Sequence, residues 1–289
     1  MAGRTCGACT LEHSGKFELL DECRVCGGEL ITLALPAAAS GVPCRAEGGE
    51  GTAGAGGSKT VYFVRHGQSE ANLTGNDVPD TPLSATGIRQ AVSWQAAVQE
   101  WGVQAVLVSP LQRTLQTATH MFDRMGGAEK TALRLSVCPE ARERWWKHAQ
   151  CRGRLLCDLE ADGVLNQLPP SGRSLLEGLD AIAAPSTHWD PEGEKALPHR
   201  ELGRRDVQAG LALMATLQSS RAETLAVVCH YGVIKFATGV EPNNACVVKC
   251  SLQMPVEGSA GGTDGAAGSE YTRPKVVEII PCPSGDVTM

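Results

Sequence analysis

Two apolar rhythms alternate along most of this chain. Short runs of β-branched and aromatic residues at 60–64 (TVYFV), 103–108, 133–138 and 225–229 predict buried strands, and 245–252 and 275–280 predict two more. Between them lie helical spacings at 84–101, with Ser84 as N-cap, at 111–125, and at 200–217, where Leu202, Val207, Leu211, Leu213, Met214 and Leu217 supply apolar positions. Strands alternating with helices predict an α/β fold, a mainly parallel sheet covered on both faces in three layers. Ligands in such sheets bind at the carboxyl ends of the strands.

Two stretches break the rhythm. Residues 36–58 (PAAASGVPCRAEGGEGTAGAGGS) hold almost no bulky apolar side chain, so they cannot bury enough surface to offset their ordering entropy. They predict a flexible linker, drawn at 31–58, between an N-terminal unit at 1–30 and one large domain at 59–289. Residues 257–270 (EGSAGGTDGAAGSE) predict a disordered insertion in the hairpin joining the last two strands.

Composition adjusts this picture modestly. With 42% hydrophobic and 20% charged residues, the chain sits near the soluble average. A net charge of -6 and a pI near 5.7 give no basic footprint, which disfavours nucleic acid or an anionic membrane as the main partner. The longest apolar stretch, 30–39, is too short to span a bilayer, and no secretion signal is visible. A cytoplasmic or nuclear location is expected.

Of the 12 cysteines, four fall at metal-ligand spacing. Cys6-x2-Cys9 and Cys23-x2-Cys26, thirteen residues apart, predict the four thiolates of a structural Zn2+ ribbon, because so short a unit has too little core to fold unaided. Two free or redox-active pairs are the alternative. The stretch resembles the Ran-binding-protein zinc finger in part, lacking the usual Trp before the first Cys and carrying a longer middle. That family includes ubiquitin binders and RNA binders. Residues 1–30 hold Arg4, Lys16 and Arg24 against five acidic side chains, with Phe17 alone able to stack, so ubiquitin or another protein is the expected partner.

The chemistry concentrates where the first strand runs into Arg65-His66-Gly67. Beyond it lie Ser69, Glu70 and Asn72 in VYFVRHGQSEAN, then TPLSATGIRQA, then VLVSPLQRTLQTA with Arg113, then AVVCHYGVIKFATG with His230. These four blocks, in this order over about residues 60–252, resemble the histidine phosphatase superfamily, with its phosphoglycerate-mutase-like fold. The resemblance implies a phosphohistidine formed on His66, a phosphate pocket built by Arg65, Asn72, Arg113 and His230, catalysis by His66, Arg65 and His230 with an acid, and no catalytic metal. Residues 141–144 (ARER) resemble the family's acid segment, with Ala in place of its usual Leu, so Glu143 is preferred as acid over Glu140.

Elementary chemistry agrees. A phosphoryl group carries charge on three equatorial oxygens, and the planar Arg fork donates to such oxygens in parallel. An imidazole attacks phosphorus only when neutral, which is feasible near pH 7. Asn72 and Ser69 either line the phosphate site or cap the following turn. Arg144, Lys147 and Arg152 either reach an anionic group beyond the reacting phosphate or are solvated. Cys229 lacks the Arg that a cysteine phosphatase needs at 235, where Lys stands, and reads as a core residue. The expected activity is phosphate monoester hydrolysis on a small molecule or phosphoprotein, with the finger as a docking module. A phosphoglycerate-mutase-like phosphotransferase, or a phosphatase fold turned adaptor, are the alternatives. Selectivity is expected from loops 73–82 and 145–198.

Overall fold

A computed structural model describes residues 57–125, 133–144, 148–254 and 273–285, together with the backbone of three short strands, Arg4–Cys6, Glu12–His13 and Leu30–Ile31. Those three strands pair antiparallel, with Arg4–Cys6 in the middle. Cys9, Cys23 and Cys26, the side chain of Cys6, most of the linker and all of 257–270 lie outside the described residues. The zinc and insertion expectations lie there with them.

Seven strands form the main sheet: β1 (Ser58–Arg65), β2 (Ala105–Val108), β3 (Leu135–Val137), β4 (Leu176–Glu177), β5 (Thr224–Cys229), β6 (Val247–Gln253) and β7 (Lys275–Ile280). Their order is β7-β6-β1-β5-β2-β3-β4. β1, β5, β2, β3 and β4 run parallel, and β6 and β7 add an antiparallel hairpin at one edge. The helices are α1 (Glu70–Thr74), α2 (Ala85–Ser93), α3 (Ala97–Glu100), α4 (Gln112–Met121), α5 (Leu156–Ala161), α6 (Pro170–Ser174), α7 (His199–Ser219) and α8 (Tyr231–Thr238).

Strand β1 shows why the sheet is covered twice. Its side chains alternate, so Tyr62 and Val64 enter one core with Trp94, Leu111 and Leu115, while Val61 and Phe63 enter the other with Leu213, Met214 and Ile234. Each fully buried Val, Leu or Phe contributes roughly 1.5–3 kcal/mol relative to exposure. Helices α2 and α4 therefore close one face, and α7 and α8 the other.

Three sequence expectations need correction. The predicted helix at 84–101 does begin at the Ser84 cap, whose hydroxyl accepts from the Gly87 amide, but it ends at Ser93 and resumes as α3. The break falls at Trp94, which is buried and donates its indole N–H to the Ala245 carbonyl at 2.9 Å. The helix predicted over 111–125 ends at Met121, with a tighter turn at Asp123–Met125. The 145–198 segment, read as loop, carries α5, α6 and the edge strand β4. Among the described residues, no helix is long and apolar enough to cross a membrane.

Candidate active site

Four parallel strands deliver the chemistry-bearing residues to the same end of the sheet. β1 ends at Arg65 and His66 follows; β5 ends at Cys229 and His230 follows; β2 ends at Val108 and leads through Ser109 to Arg113; β3 leads to Arg142–Arg144. The ladder continues past the strands. His66 N–H donates to Cys229 O at 3.0 Å, Ser109 N–H to Val228 O at 3.0 Å, and Cys138 N–H to Val108 O at 2.8 Å, so the registers of these segments are mutually fixed.

Two glycines let the first loop pack on the α2 N-terminus. A Cβ on Gly67 would stand 2.5 Å from the Gly87 carbonyl oxygen, and one on Gly87 would stand 2.1 Å from that of Gln68. Buried side chains hold the loop from every side. Gly67 N–H donates to Thr117 Oγ1 at 3.1 Å, Gln68 N–H to Gln90 Oε1 at 2.8 Å, and Ser84 Oγ–H to Gln68 Oε1 at 2.8 Å.

The state of His66 follows from its neighbours. Its Nδ1 lies 2.7 Å from the Gly67 carbonyl oxygen, which only accepts, so Nδ1 carries the proton. Arg113 Nε–H then donates to the Nε2 lone pair at 3.2 Å. Burial, then the Arg113 and Arg65 cations, hold the ring's pKa well below its ordinary value, so the imidazole is neutral. Arg113, itself buried, is fixed by a second bond from Nη1 to Gln150 O at 2.7 Å.

His230 stands 5.1 Å from His66 between ring centroids. Burial and the cations of Arg113 and Arg65 lower its pKa well below the ordinary value too. Ser109 Oγ lies 2.7 Å from its Nε2 and also accepts a long contact from the Leu111 amide. His230 Nδ1 is buried and has no hydrogen-bond partner among the described residues. A buried ring nitrogen left without a partner is costly, and an N–H there would be satisfied by an anion's oxygen.

Arg65 donates through Nη1 to the Pro242 carbonyl at 2.7 Å, and its Nε is buried with no partner among the described residues. Burial lowers its pKa, with the Glu143 carboxylate opposing. Glu143 is buried and its Oε1 accepts from the Arg144 amide at 2.7 Å and the Gly232 amide at 3.1 Å, one local and one from α8. Glu140 instead turns toward Cys138, whose thiol donates to Oε2 at 3.3 Å. The structure thus gathers His66, Arg65, Arg113, His230 and Glu143.

Asn72 sits at the edge of this group and is exposed. It completes a capping box with Ser69, the N-cap of α1. Its Oδ1 also accepts from Asn244 Nδ2 at 3.1 Å. Arg144 is buried, with its guanidinium 3.6 Å from the centroid of the Phe236 ring, so the solvated reading does not hold for it. Lys147 lies outside the described residues, and Arg152 is exposed. Cys229 is buried, and burial pushes its thiol pKa up, as a core residue requires.

Sequence reasoning missed three positioning residues. Ser109 was legible only as part of a motif. Asn244 donates toward His66 O at 3.3 Å, and its neighbour Ala245, at a φ of 54°, donates N–H to the same oxygen at 3.0 Å. Asp80 caps α4 from a distant loop, accepting from the Gln112 amide at 2.6 Å, and pairs with Arg154 at 2.9 Å. Nothing local in sequence marks Asn244 or Asp80.

Residues 61–153 match the family model "Histidine phosphatase superfamily (branch 1)". The "Probable phosphoglycerate mutase GpmB" of Serratia proteamaculans (strain 568) is 31% identical over 155 residues, 47% of this chain and 66% of that protein. The bovine (Bos taurus) 6-phosphofructo-2-kinase/fructose-2,6-bisphosphatase 1 is 39% identical over 62 residues, 21% of this chain and 13% of that protein. The solved alpha-ribazole phosphatase of Shigella flexneri is 18% identical, covering 71% of this chain and 100% of that one with a TM-score of 0.39. The chain spans between 13% and 66% of the length of these two curated relatives. The family match and the curated relatives support the histidine phosphatase superfamily, whose relatives here are phosphatases and mutases.

Proposed function

We propose that this protein hydrolyses phosphate monoesters through a phosphohistidine on His66. The observation that carries the reading is a buried, neutral imidazole whose Nε2 lone pair meets Arg113, beside a second buried imidazole whose Nδ1 has no partner among the described residues. A phosphoryl group entering there takes hydrogen bonds from Arg113, Arg65 and His230 on its equatorial oxygens, with Asn72 at the rim. His66 Nε2 forms the N–P bond as the bond from phosphorus to the leaving oxygen breaks. The Gly67 carbonyl steadies the charge that develops on the ring.

Glu143 supplies the proton to the leaving oxygen. Two amides hold its Oε1, which puts the proton on Oε2. In the second step the same carboxylate takes a proton from water, which attacks phosphorus as the N–P bond breaks and inorganic phosphate leaves. A positioned acid of this kind contributes roughly 10²- to 10⁴-fold.

The test is release of inorganic phosphate from p-nitrophenyl phosphate by wild type and His66→Ala, with acid-stable and base-stable label compared after quenching. Turnover by wild type alone, through a base-stable phosphoenzyme, is expected. Equal rates in the two proteins overturn the mechanism, and label returned to a second ester in place of water reassigns the activity to a phosphotransferase.

The N-terminal set Cys6, Cys9, Cys23 and Cys26 is proposed as a structural Zn2+ ribbon that docks ubiquitin or another protein, on the strength of its CxxC spacing. One zinc per full chain is expected, lost in Cys6→Ser/Cys9→Ser; a metal-free wild type overturns it. The scatter of the other eight cysteines without a disulfide framework in the sequence fits a reducing cytoplasmic or nuclear location.

A further inference from the structure

The loop after α1 braces Arg113 from outside the pocket. α1 ends at Gly75, whose φ of 73° turns the chain, and the Asn76 amide donates to Thr74 Oγ1 at 3.2 Å. That turn leads from Asn72, at the pocket rim, to two carboxylates on either side of Arg113. Asp80 is buried and accepts from the amide of Gln112, the residue before Arg113. Asp77 is exposed and reaches the tight turn Ala149–Cys151, which presents the Gln150 carbonyl to Arg113.

A row of hydrogen bonds runs from Asp77 to the nucleophile. The Gln150 amide donates to Asp77 Oδ1 at 3.0 Å. The Gln150 carbonyl accepts from Arg113 Nη1 at 2.7 Å, and Arg113 Nε donates to His66 Nε2 at 3.2 Å. Gln150 is thus held twice, its N–H by a carboxylate and its C=O by a guanidinium. Hydrogen bonds to charged groups are roughly twice as strong as neutral ones. Burial alone would raise the Asp77 carboxyl, yet the Gln150 and Ala149 amides, aided by His148 and Arg152, hold it below the ordinary carboxylate range. The acceptor is therefore ionised at neutral pH.

The chain beyond this turn is anchored separately. Arg154 donates through Nε to Asp80 Oδ2 at 2.9 Å and through Nη2 to Gln112 Oε1 at 3.1 Å, while its carbonyl accepts the Trp189 indole N–H at 3.2 Å. Removing the Asp77 carboxylate therefore loosens the turn at 149–151 and leaves residue 154 and the start of α4 in place. The ion pair of Asp77 with His148, at 3.8 Å between exposed side chains, is worth little in water. The bond to the Gln150 amide is the consequential one.

Resting on the hydrolase reading above, we propose that Asp77 is a positioning residue for phosphoryl transfer, holding the Gln150 carbonyl where it fixes the Arg113 guanidinium against His66 and the incoming phosphoryl group. The 73–82 loop, expected to set selectivity, thereby acts on rate through Arg113.

The test is a double-mutant cycle on the full chain with p-nitrophenyl phosphate. Asp77→Ala is expected to lower kcat/KM by about 10- to 100-fold, the range for a catalytic group displaced by about 1 Å. Asp77→Asn keeps an acceptor for the Gln150 amide and should recover most of that loss. In Arg113→Lys, where the fork is already gone, Asp77→Ala should cost less than about twofold, because it acts through that fork. Should the alanine variant fold poorly, Asp77→Ser, polar but too short to reach the amide, carries the same comparison. Asp77→Ala within about threefold of wild type, an asparagine variant as slow as the alanine one, or an equal loss in both backgrounds overturns the positioning role and leaves the hydrolase reading standing. Wild type that releases no phosphate, or releases it no faster than His66→Ala, overturns both.

Discussion

Arg113 Nε donates to His66 Nε2 across 3.2 Å although 47 residues separate the two in sequence. One guanidinium thus holds the lone pair of the imidazole in place and depresses its pKa. The fork is fixed in turn by the Gln150 carbonyl, so the donor cannot follow the ring if the ring moves.

Arg113→Lys should therefore lose more than charge. An ammonium lacks the planar fork and cannot meet both His66 and Gln150 in this geometry. A drop in kcat/KM of about 10²- to 10³-fold on p-nitrophenyl phosphate is expected, comparable to removing one preorganised donor. A Lys variant within about threefold of wild type would show that charge alone suffices.

The pH profile reports on the neutral nucleophile. His66 and His230 both have pKa values held well below the ordinary 6.5 by burial and by Arg113 and Arg65. Lowering pH through 6.5 therefore leaves both rings unprotonated in the folded state, and kcat/KM should keep its nucleophile well into the acid range. An acid limb centred near 6.5 in wild type, or one that fails to move up in pH in Arg65→Gln and Arg113→Gln, would contradict this. Stability moves the other way: the unfolded chain binds protons at these histidines before the folded one does, so this contribution falls as pH drops below about 6.5.

Asp206 gives the opposite slope. Buried in α7 and 3.3 Å from Arg142, its carboxyl is pushed up to about 7, by burial first, against the pull of Arg142 and Arg144. Between about pH 4 and 7 the folded state holds this proton and the unfolded state does not, so stability from this group falls as pH rises. Asp206→Asn should match wild type most closely near pH 5 and gain on it by pH 8 in thermal melts. A variant that loses ground between pH 5 and 8 would reverse the sign.

Gly87→Ala tests the close approach of α2 to the catalytic loop. Its new Cβ would stand 2.1 Å from a backbone oxygen, which no side-chain rotation relieves. Overpacking of this kind costs about 1–3 kcal/mol, and the displaced Gln68 should lower activity as well. An unchanged melting temperature with full activity would show that the loop yields freely.

Among the readings made from residues alone, strand β1 and the Ser84 cap were visible because their signals are local: alternation over a few residues, or a hydroxyl beside the amide it accepts from. Strand-end placement of Arg65, His66, Arg113 and His230 was legible for the same reason, each following its own apolar run. The break at Trp94 was not, because the burial of its indole and its bond to the Ala245 carbonyl, 151 residues away, are tertiary. Glu143 could be preferred over Glu140 by motif, yet only the fold turns one carboxylate onto the Gly232 amide and the other onto Cys138. Asn244, Asp80 and the Arg142–Glu194–Asp206 group were invisible because a polar side chain in a polar stretch reveals neither its burial nor its partner. The sequence by itself determined which residue types stand at the strand ends. Their distances, tautomers and charge states were decided by tertiary structure, because those depend on groups brought together from remote parts of the chain in a medium without water.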